Sequence, residues 1–496
     1  MSDFLGRLSS VPSRPHDPDN ISAERYDRQL RDLISYLKQP GVASSTSDYS
    51  DFFEIVSPSV HSLSFLFLLR FQIQLVQKRT KRDIPQNLHP GGDLWKQVVR
   101  FLRSFDPIQI RYAGYEWRQL VEVVASAAQA ISKPALAVKV IADALGRLNT
   151  SGMFTSVHLT LVKLALLSSS YTHTLPIMDK VLCNFPTDTN HVHHETFLCS
   201  EHGSSAAFIT DTSGFSTKLT YRDHLQFYLY SAMIYMALKR WDHASHCLSV
   251  VISSPTANSV SKIMVEAYKK WVLASLLGYG KLPPTSRMIA PHVTRVYQSL
   301  ARPYVSLAEA FEKADLQKMS AEVDLGQSIW RDDKNTGLVS QLFEAYDKFM
   351  IIKLGRTFSA LTIADVLQRA PSYFKDHYDT EEFVASLVMS DTLRATLSHL
   401  PGTESTTMLR FCLSTQFHAF REEHIRTRLM RGKSALNTIA KGIVQTDQTL
   451  ELSDENLHFI ARSQKWNGDP EKSGAVGSGE AGVGGDIDED LMGDGH

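Results

Sequence analysis

Along most of the 496-residue chain, apolar positions recur three and four residues apart. That spacing lines them up on one side of an α-helix. It runs through "ISAERYDRQLRDLISYLKQ", "DLWKQVVRFLRSF", "EWRQLVEVVASAAQAIS" and "SVHLTLVKLALLSSS". Turn-forming residues separate such segments at Pro40–Gly41, Asp106–Pro107, Lys133–Pro134, Ser151–Gly152 and Pro176. Alternation of period two is almost missing before residue 390. The pattern predicts a succession of helical hairpins.

Two stretches show how the hairpins stack. In "HLQFYLYSAMIYMALKRWDHASHCLSVVISS" a helix is predicted from about Arg222 to Leu238, with a tight turn at Lys239–Arg240. A second helix opens at Trp241, and small Ala244 sits where two backbones approach. This order is that of tetratricopeptide-like (TPR-like) pairs, without a clean 34-residue period. In "SPTANSVSKIMVEAYKKWVLASLLGYGKLPP", Met264, Ala267, Trp271 and Ala274 form one stripe. Val265, Tyr268, Val272 and Leu276 form a second, and Lys262, Glu266 and Lys269 fill the face expected to be wet. A helix inside a stacked array touches its predecessor and its successor, so it needs two apolar faces. Gly280 is the expected cap and Pro283 the stop.

The pattern changes near residue 350. "TFSALTIADVLQRA" predicts a short helix launched by Thr362, with Ala364, Val366 and Leu367 inward. "DTEEFVASLVMSD" predicts a second helix with acids in its first turn. "RATLSHL" and "TTMLRFC" then read as strands joined by "PGTES". Helix, turn, helix and hairpin make a winged helix, and "TTMLRFC" is expected to leave an open sheet edge carrying Met408, Leu409 and Phe411. From Leu413 one long amphipathic helix is predicted, with Phe417, Phe420, Leu429, Leu436, Ile439 and Ile443 in a rough heptad spacing. The Gly-rich acidic end cannot bury enough apolar area to fold alone.

The expected fold is therefore mostly α: a right-handed helical-repeat (TPR-like) solenoid, then a winged helix, then a long C-terminal helix. The expected divisions are a flexible leader (1–20), N-terminal repeats (21–220), a module over 221–412 (helical part 221–349, winged helix 350–412), the C-terminal helix (413–465) and a disordered tail (466–496).

Bulk composition excludes several function classes. The chain is 43% hydrophobic and 21% charged, with a formal net charge of -1, so nothing draws it as a whole to nucleic acid or an acidic membrane. The most apolar run, "LSFLFLLRFQIQLV", is cut by Arg70 and two glutamines, which argues against a membrane span. Asp3 and early prolines stand where a signal peptide needs an apolar core. Cys183, Cys199, Cys247 and Cys412 make no framework, which fits a reduced compartment, cytoplasm or nucleus.

Candidate chemistry is sparse. "CNFPTDTNHVHHETFLCSEH", Cys183 to His202, gathers four histidines and two cysteines, and His191 and His193 are spaced as in a His-x-His metal motif. The further Ser and Asp ligands of a zinc deneddylase do not follow at the required distance, and the cysteines are not in a close pair. An exposed His-rich loop is the expected role. The second winged-helix helix carries Asp379, Glu381, Glu382 and Asp391 with no Lys or Arg, so it would repel a phosphate backbone. "KRTKRD", Lys78 to Asp83, reads as a solvated turn or an import signal. Arg421, Arg426, Arg428, Arg431 and Lys433, interrupted by Glu422 and Glu423, read as the charged face of a bundle helix. No GxxxxGK[ST] or G-x-S-x-G motif occurs, and "GVGGD" near Gly485 follows no strand.

"HLQFYLYSAMIYMALKRWDHA", "SPTANSVSKIMVEAYKKWVLASLLGYGKLPP" and "DDKNTGLVSQLF" (Asp332 to Phe343) together resemble the PCI-domain family of the proteasome lid, the COP9 signalosome and translation initiation factor three. Within it the chain resembles the branch of third signalosome subunits. The resemblance is specific over about Arg222 to Phe349 and generic for the winged helix. It implies a non-catalytic scaffold, not an enzyme, with no catalytic, cofactor-binding or metal residues and no cofactor. In that family winged helices align edge to edge and C-terminal helices gather into a bundle. The implied partners are other signalosome subunits, with the first and eighth as neighbours, and indirectly cullin-RING ubiquitin ligases; neither nucleic acid nor membrane is implied. The complex removes the ubiquitin-like modifier Nedd8 from cullins through a zinc centre on a different subunit. A lid or initiation-factor subunit is the alternative reading, and a metal-dependent enzyme using the His191 loop is a third.

Overall fold

The three- and four-residue spacing becomes helix nearly everywhere it occurs, and local hydrogen bonds set where each helix stops. The computed structural model describes residues 2–11, 20–39, 49–148, 150, 152–180, 182, 184–186, 197–200, 202, 205–255, 260–369, 377–390, 392–399, 407–411, 418–451 and 456–460. The first helices are α1 (Ser2–Leu8), α2 (Asn20–Leu37), α3 (Phe52–Ile55), α4 (Ser62–Thr80), α5 (Asp93–Ser104), α6 (Pro107–Ile110), α7 (Gly114–Ala130), α8 (Ala135–Leu148), α9 (Ser156–Ser168) and α10 (Leu175–Met178). Then come α11 (Tyr221–Ala237), α12 (Trp241–Ile252), α13 (Lys262–Tyr279), α14 (Pro291–Leu300), α15 (Arg302–Glu312), α16 (Leu316–Leu325), α17 (Gln327–Asp332) and α18 (Thr336–Thr357). The chain continues through β1 (Ala360–Thr362), α19 (Ile363–Arg369), α20 (His377–Met389), β2 (Ala395–His399), β3 (Thr407–Phe411) and α21 (His418–Glu451). It divides into two compact units, Met1–Phe411 and Cys412–His496.

Helix starts follow capping chemistry. The Thr220 hydroxyl donates to the Asp223 carboxylate at 2.7 Å, and that carboxylate also accepts the Thr220 N–H at 2.9 Å. Thr362 and Asp365 repeat the device before α19. Helix ends were harder to foresee. Ser132, Ser169, Lys239, Ala314 and Lys334 all adopt left-handed backbone without being glycine. At each, the following N–H reaches back to a carbonyl of the last helical turn, as Arg240 does to Tyr235 at 2.9 Å. The sequence pattern places the turns beside Ser132 and at Lys239, but not those at Ser169, Ala314 and Lys334.

The apolar faces meet in three clusters within the first unit. One runs from Leu8 to Ile234, the second from Leu225 to Tyr346, and the third from Ile351 to Phe411. Helix α11 serves both of the first two: Phe227 and Ile234 point into one, Ala232 and Tyr235 into the other. The apolar run of α4 is the centre of the first cluster, with Phe65, Phe67 and Leu68 fully buried. Its Arg70 is answered by buried Glu116 at 3.2 Å. Among the described residues no helix is long and apolar enough to cross a membrane.

The leader differs from expectation. Residues 2–8 form α1, and Leu8 and Val11 are buried. The Ser64 hydroxyl donates to the Leu8 carbonyl at 2.8 Å, so the first cluster holds this segment by apolar contact and backbone hydrogen bonding. The tail from 466 onward lies outside the described residues.

The last part of the first unit is a winged helix. Its three antiparallel strands run in the order β1-β3-β2, with Leu409 opposite Leu361 on one side and Leu397 on the other. Helices α19 and α20 pack on it through Ile363, Val366, Val384 and Leu387. Val366 is buried as expected and Leu367 half-buried, whereas Ala364 is exposed. Ile363, one position earlier, takes the inward place because the helix starts directly from β1.

Candidate interaction surfaces

Helix α13 fixes the architecture of the second cluster. It packs against α11, α12, α14, α15 and α18. Met264, Ala267, Trp271 and Ala274 are buried, as are Tyr268, Val272 and Leu276, so both predicted stripes are covered. Gly280 caps the helix at φ 68° and its N–H bonds the Leu276 carbonyl.

The face expected to be wet is so only at Lys262. Lys269 and Glu266 are half-buried, and Lys270 is only 6% exposed. The turn between α17 and α18 covers them. Lys269 Nζ donates to both Asp333 oxygens at 2.7 Å. Lys270 Nζ donates to Glu266 Oε1 at 2.5 Å and to Asn335 Oδ1 at 2.6 Å. Tyr304 closes the circuit, donating to Asp333 at 2.8 Å and accepting from Asn335 Nδ2 at 2.9 Å. Burial raises the phenol of Tyr304 well above its ordinary range, so it stays a donor at any working pH. This clamp ties α13, α15 and the α17–α18 turn with every charge answered, the condition under which a buried polar network is tolerated. The reading that Lys269 and Glu266 face water is corrected, because the Asp333–Asn335 turn packs over that part of the face and answers its charges, while Lys262 at the start of the helix is exposed as expected.

The sheet also corrects the sequence reading. "TTMLRFC" supplies the central strand, because residues 360–362 add β1 on its outer side. Leu409 is fully buried, Phe411 is 8% exposed and Met408 is half-buried, so the first two belong to the local core. A Cβ on Gly355 would fall 2.7 Å from the Phe411 ring, so α18 keeps a glycine where that ring lies. The open edges are those of β1 and β2; among the described residues no strand pairs with them. Glu381 of α20 accepts from Thr407 at 2.9 Å, and Asp379 and Glu382 are exposed acids on the same helix. Among the described residues α20 carries no Lys or Arg to meet phosphates.

The second unit, described by itself, is dominated by the 34-residue α21. Leu429 and Leu436 are 68% exposed, Ile443 55% and Ile439 47%. Ile425 and Met430 extend the same exposure. Phe417 lies outside the described residues, as does the side chain of Phe420, and α21 is described from His418 rather than Leu413. These side chains give α21 an exposed apolar face.

The His-rich segment gives no site geometry: Cys183, His191, His193 and His194 lie outside the described residues. Its far end is anchored, with Arg111 Nη1 donating to the carbonyls of Leu198 and Ser200 at 2.9 and 2.8 Å. Cys199 is buried and its thiol points to the Ala23 carbonyl at 3.3 Å. Among the described residues no group of three His, Cys, Asp or Glu could hold a metal ion. Lys78 to Asp83 form the exposed end of α4 and the turn after it.

Two buried groups are held in unreactive forms. Burial pushes the Cys247 thiol up to about 12, so it is not a thiolate near neutrality. His158 caps its own helix: Nδ1 accepts the Thr155 N–H at 3.2 Å, which requires the unprotonated nitrogen. Burial, helped by the charge of Lys180, lowers its pKa to about 3.

Comparison with known proteins supplies what geometry cannot. The family described as COP9 signalosome complex subunit 3, N-terminal helical repeats, matches residues 27–202 and 205–293. A COP9 signalosome complex subunit 3 from Emericella nidulans is 67% identical over 496 residues, all of both chains. One from Neurospora crassa is 23% identical over 93% of this chain and 90% of its own, and one from Dictyostelium discoideum is 24% identical over 74% and 79%.

Proposed function

The chain belongs to the COP9 signalosome subunit 3 family, and from that membership we propose that it is a non-catalytic architectural subunit of a signalosome. The observation that carries the reading is α21. Its apolar residues Leu429, Leu436, Ile439 and Ile443 are 47% to 68% exposed on a long helix that suits a shared helical bundle. The open edge of β2 offers backbone groups to a neighbouring sheet, the second contact expected of a PCI-type subunit. The neighbours are the first and eighth subunits. The assembled complex removes Nedd8 from cullins of cullin-RING ligases at a zinc centre carried by another subunit. The chain works in cytoplasm and nucleus.

Co-expression with the remaining signalosome subunits tests this. A full-length Leu436→Asp/Ile439→Asp variant is expected to keep its helical circular dichroism and to drop out of the purified complex. Full incorporation of that variant would remove the role given to α21. Recovery of proteasome-lid or initiation-factor subunits in place of signalosome subunits would overturn the assembly itself.

A further inference from the structure

A groove of about 580 Å³ opens between α5, α8 and α10 on the helical-repeat region. Arg103, Asp143, Gly146, Arg147, His173 and Lys180 line it. Three full cations and an imidazole therefore face one carboxylate. Arg103 takes that carboxylate, Nε to Asp143 Oδ2 at 3.4 Å. Arg147 is fixed without being neutralised: Nε donates to the Phe105 carbonyl at 3.1 Å, Nη2 to that of Ser104 at 3.3 Å, and its guanidinium lies 5.7 Å from the Phe105 ring centre. Asp106 is close enough to feel Arg147, but its buried carboxylate is turned to the Ile108 N–H. Lys180 makes no ion pair among the described residues, since neighbouring Asp179 is engaged by Arg240 and Tyr235.

A second feature is steric. Gly146 lies inside α8, where glycine weakens a helix relative to alanine. Nothing in the chain requires it there, because an added Cβ would meet no atom within 4 Å. The opening over Gly146 lets another backbone come close to the helix.

We infer that this groove seats an acidic peptide segment of a partner protein, its backbone crossing Gly146 and its carboxylates meeting Lys180, Arg147 and His173. The uncompensated cations select the charge of the occupant, and the shallow, open groove admits an extended peptide along its length.

Fluorescence anisotropy on the full chain at pH 7.5 tests the assignment. The probe is a labelled decapeptide alternating Glu and Gly, with Gln replacing Glu in the control. The Glu peptide is expected to bind about tenfold tighter than the Gln peptide and to weaken with added salt. Lys180→Glu and Gly146→Leu should each weaken it by about tenfold, one by charge and one by filling the groove. Neither position is packed against the core in a way that folding depends on, and unchanged circular dichroism would verify that. Equal binding of the two peptides, or undiminished binding in either variant, overturns the proposal. So does displacement by inorganic phosphate or by a short oligothymidylate at matched ionic strength. Aspartates in α21 leave this measurement untouched, so the two readings fail separately.

Discussion

Helices α13 and α21 are both long, both amphipathic in sequence and both studded with basic residues, yet they end in opposite environments. In α13 the apolar stripes are buried on all sides, and even Lys270 is 6% exposed and held by Glu266 and Asn335. In α21 the isoleucines and leucines of the stripe are 47% to 68% exposed. The periodicity hints at this, with two apolar stripes on α13 and one on α21, but it does not show which stripe is covered. What separates them is the supply of neighbours: α13 is followed by α14 to α18, which return to cover it, whereas the unit containing α21 has no comparable set of helices among its described residues. One helix buries its apolar area within its own fold, and the other leaves it exposed.

The contrast can be broken from the α13 side first. Trp271→Ala should cost about 3–5 kcal/mol in urea unfolding, because a buried indole leaves a cavity that surrounding helices cannot close. A loss below about 1 kcal/mol would mean the second cluster is far looser than its burial implies.

Next in size is acid. His158 has a folded-state pKa near 3 against an ordinary 6.5, so below 6.5 the unfolded chain binds a proton that the folded chain refuses. Its contribution is full above 6.5 and falls by about 1.4 kcal/mol per pH unit as the pH drops toward 3. Unfolding titrations of the wild type and of His158→Gln over pH 7 to 4 should show a shallower decline in the variant. Parallel curves would deny the imidazole this role.

Gly280→Ala comes third, at about 1–3 kcal/mol, from left-handed backbone and from a Cβ placed 2.6 Å from the Phe349 ring. Thermal melting would register it. The smallest effect is the sharpest for the comparison. Leu436→Asp should change the stability of the isolated chain by less than about 0.5 kcal/mol, since the residue is 68% exposed, while reducing assembly. A large loss of stability in the isolated protein would show that α21 is covered by its own chain after all.

Much of this was legible beforehand at the level of elements. The helices α2, α5, α7, α9 and α11 to α13, the Thr362 cap, the Gly280 stop, the two strands and the long terminal helix all have local causes: three-four periodicity, a hydroxyl at the first position, an alternating run. The turn at Lys239 was legible between the two helices it joins, but its left-handed backbone was not, and the non-glycine turns at Ala314 and Lys334 were not legible at all, because the surrounding helix packing, rather than the residue, enforces them. The same holds for the candidate surfaces. Periodicity named Leu429, Leu436, Ile439 and Ile443 on α21, yet it also named Leu409 and Phe411, which the winged helix buries.

The chain's own sequence, then, settles what is helix, what is strand and which side of each is apolar, because those depend on residues within one or two turns of each other. Which apolar side remains uncovered was decided by the tertiary structure alone. Three residues at 360–362 move β3 from the edge to the centre of the sheet, and the Asp333–Asn335 turn seals a face of α13 that its lysines had marked for water. Both depend on contacts between positions some 50 to 65 residues apart in the chain, as with Lys270 and Asn335 at a separation of 65, and local periodicity carries no record of them.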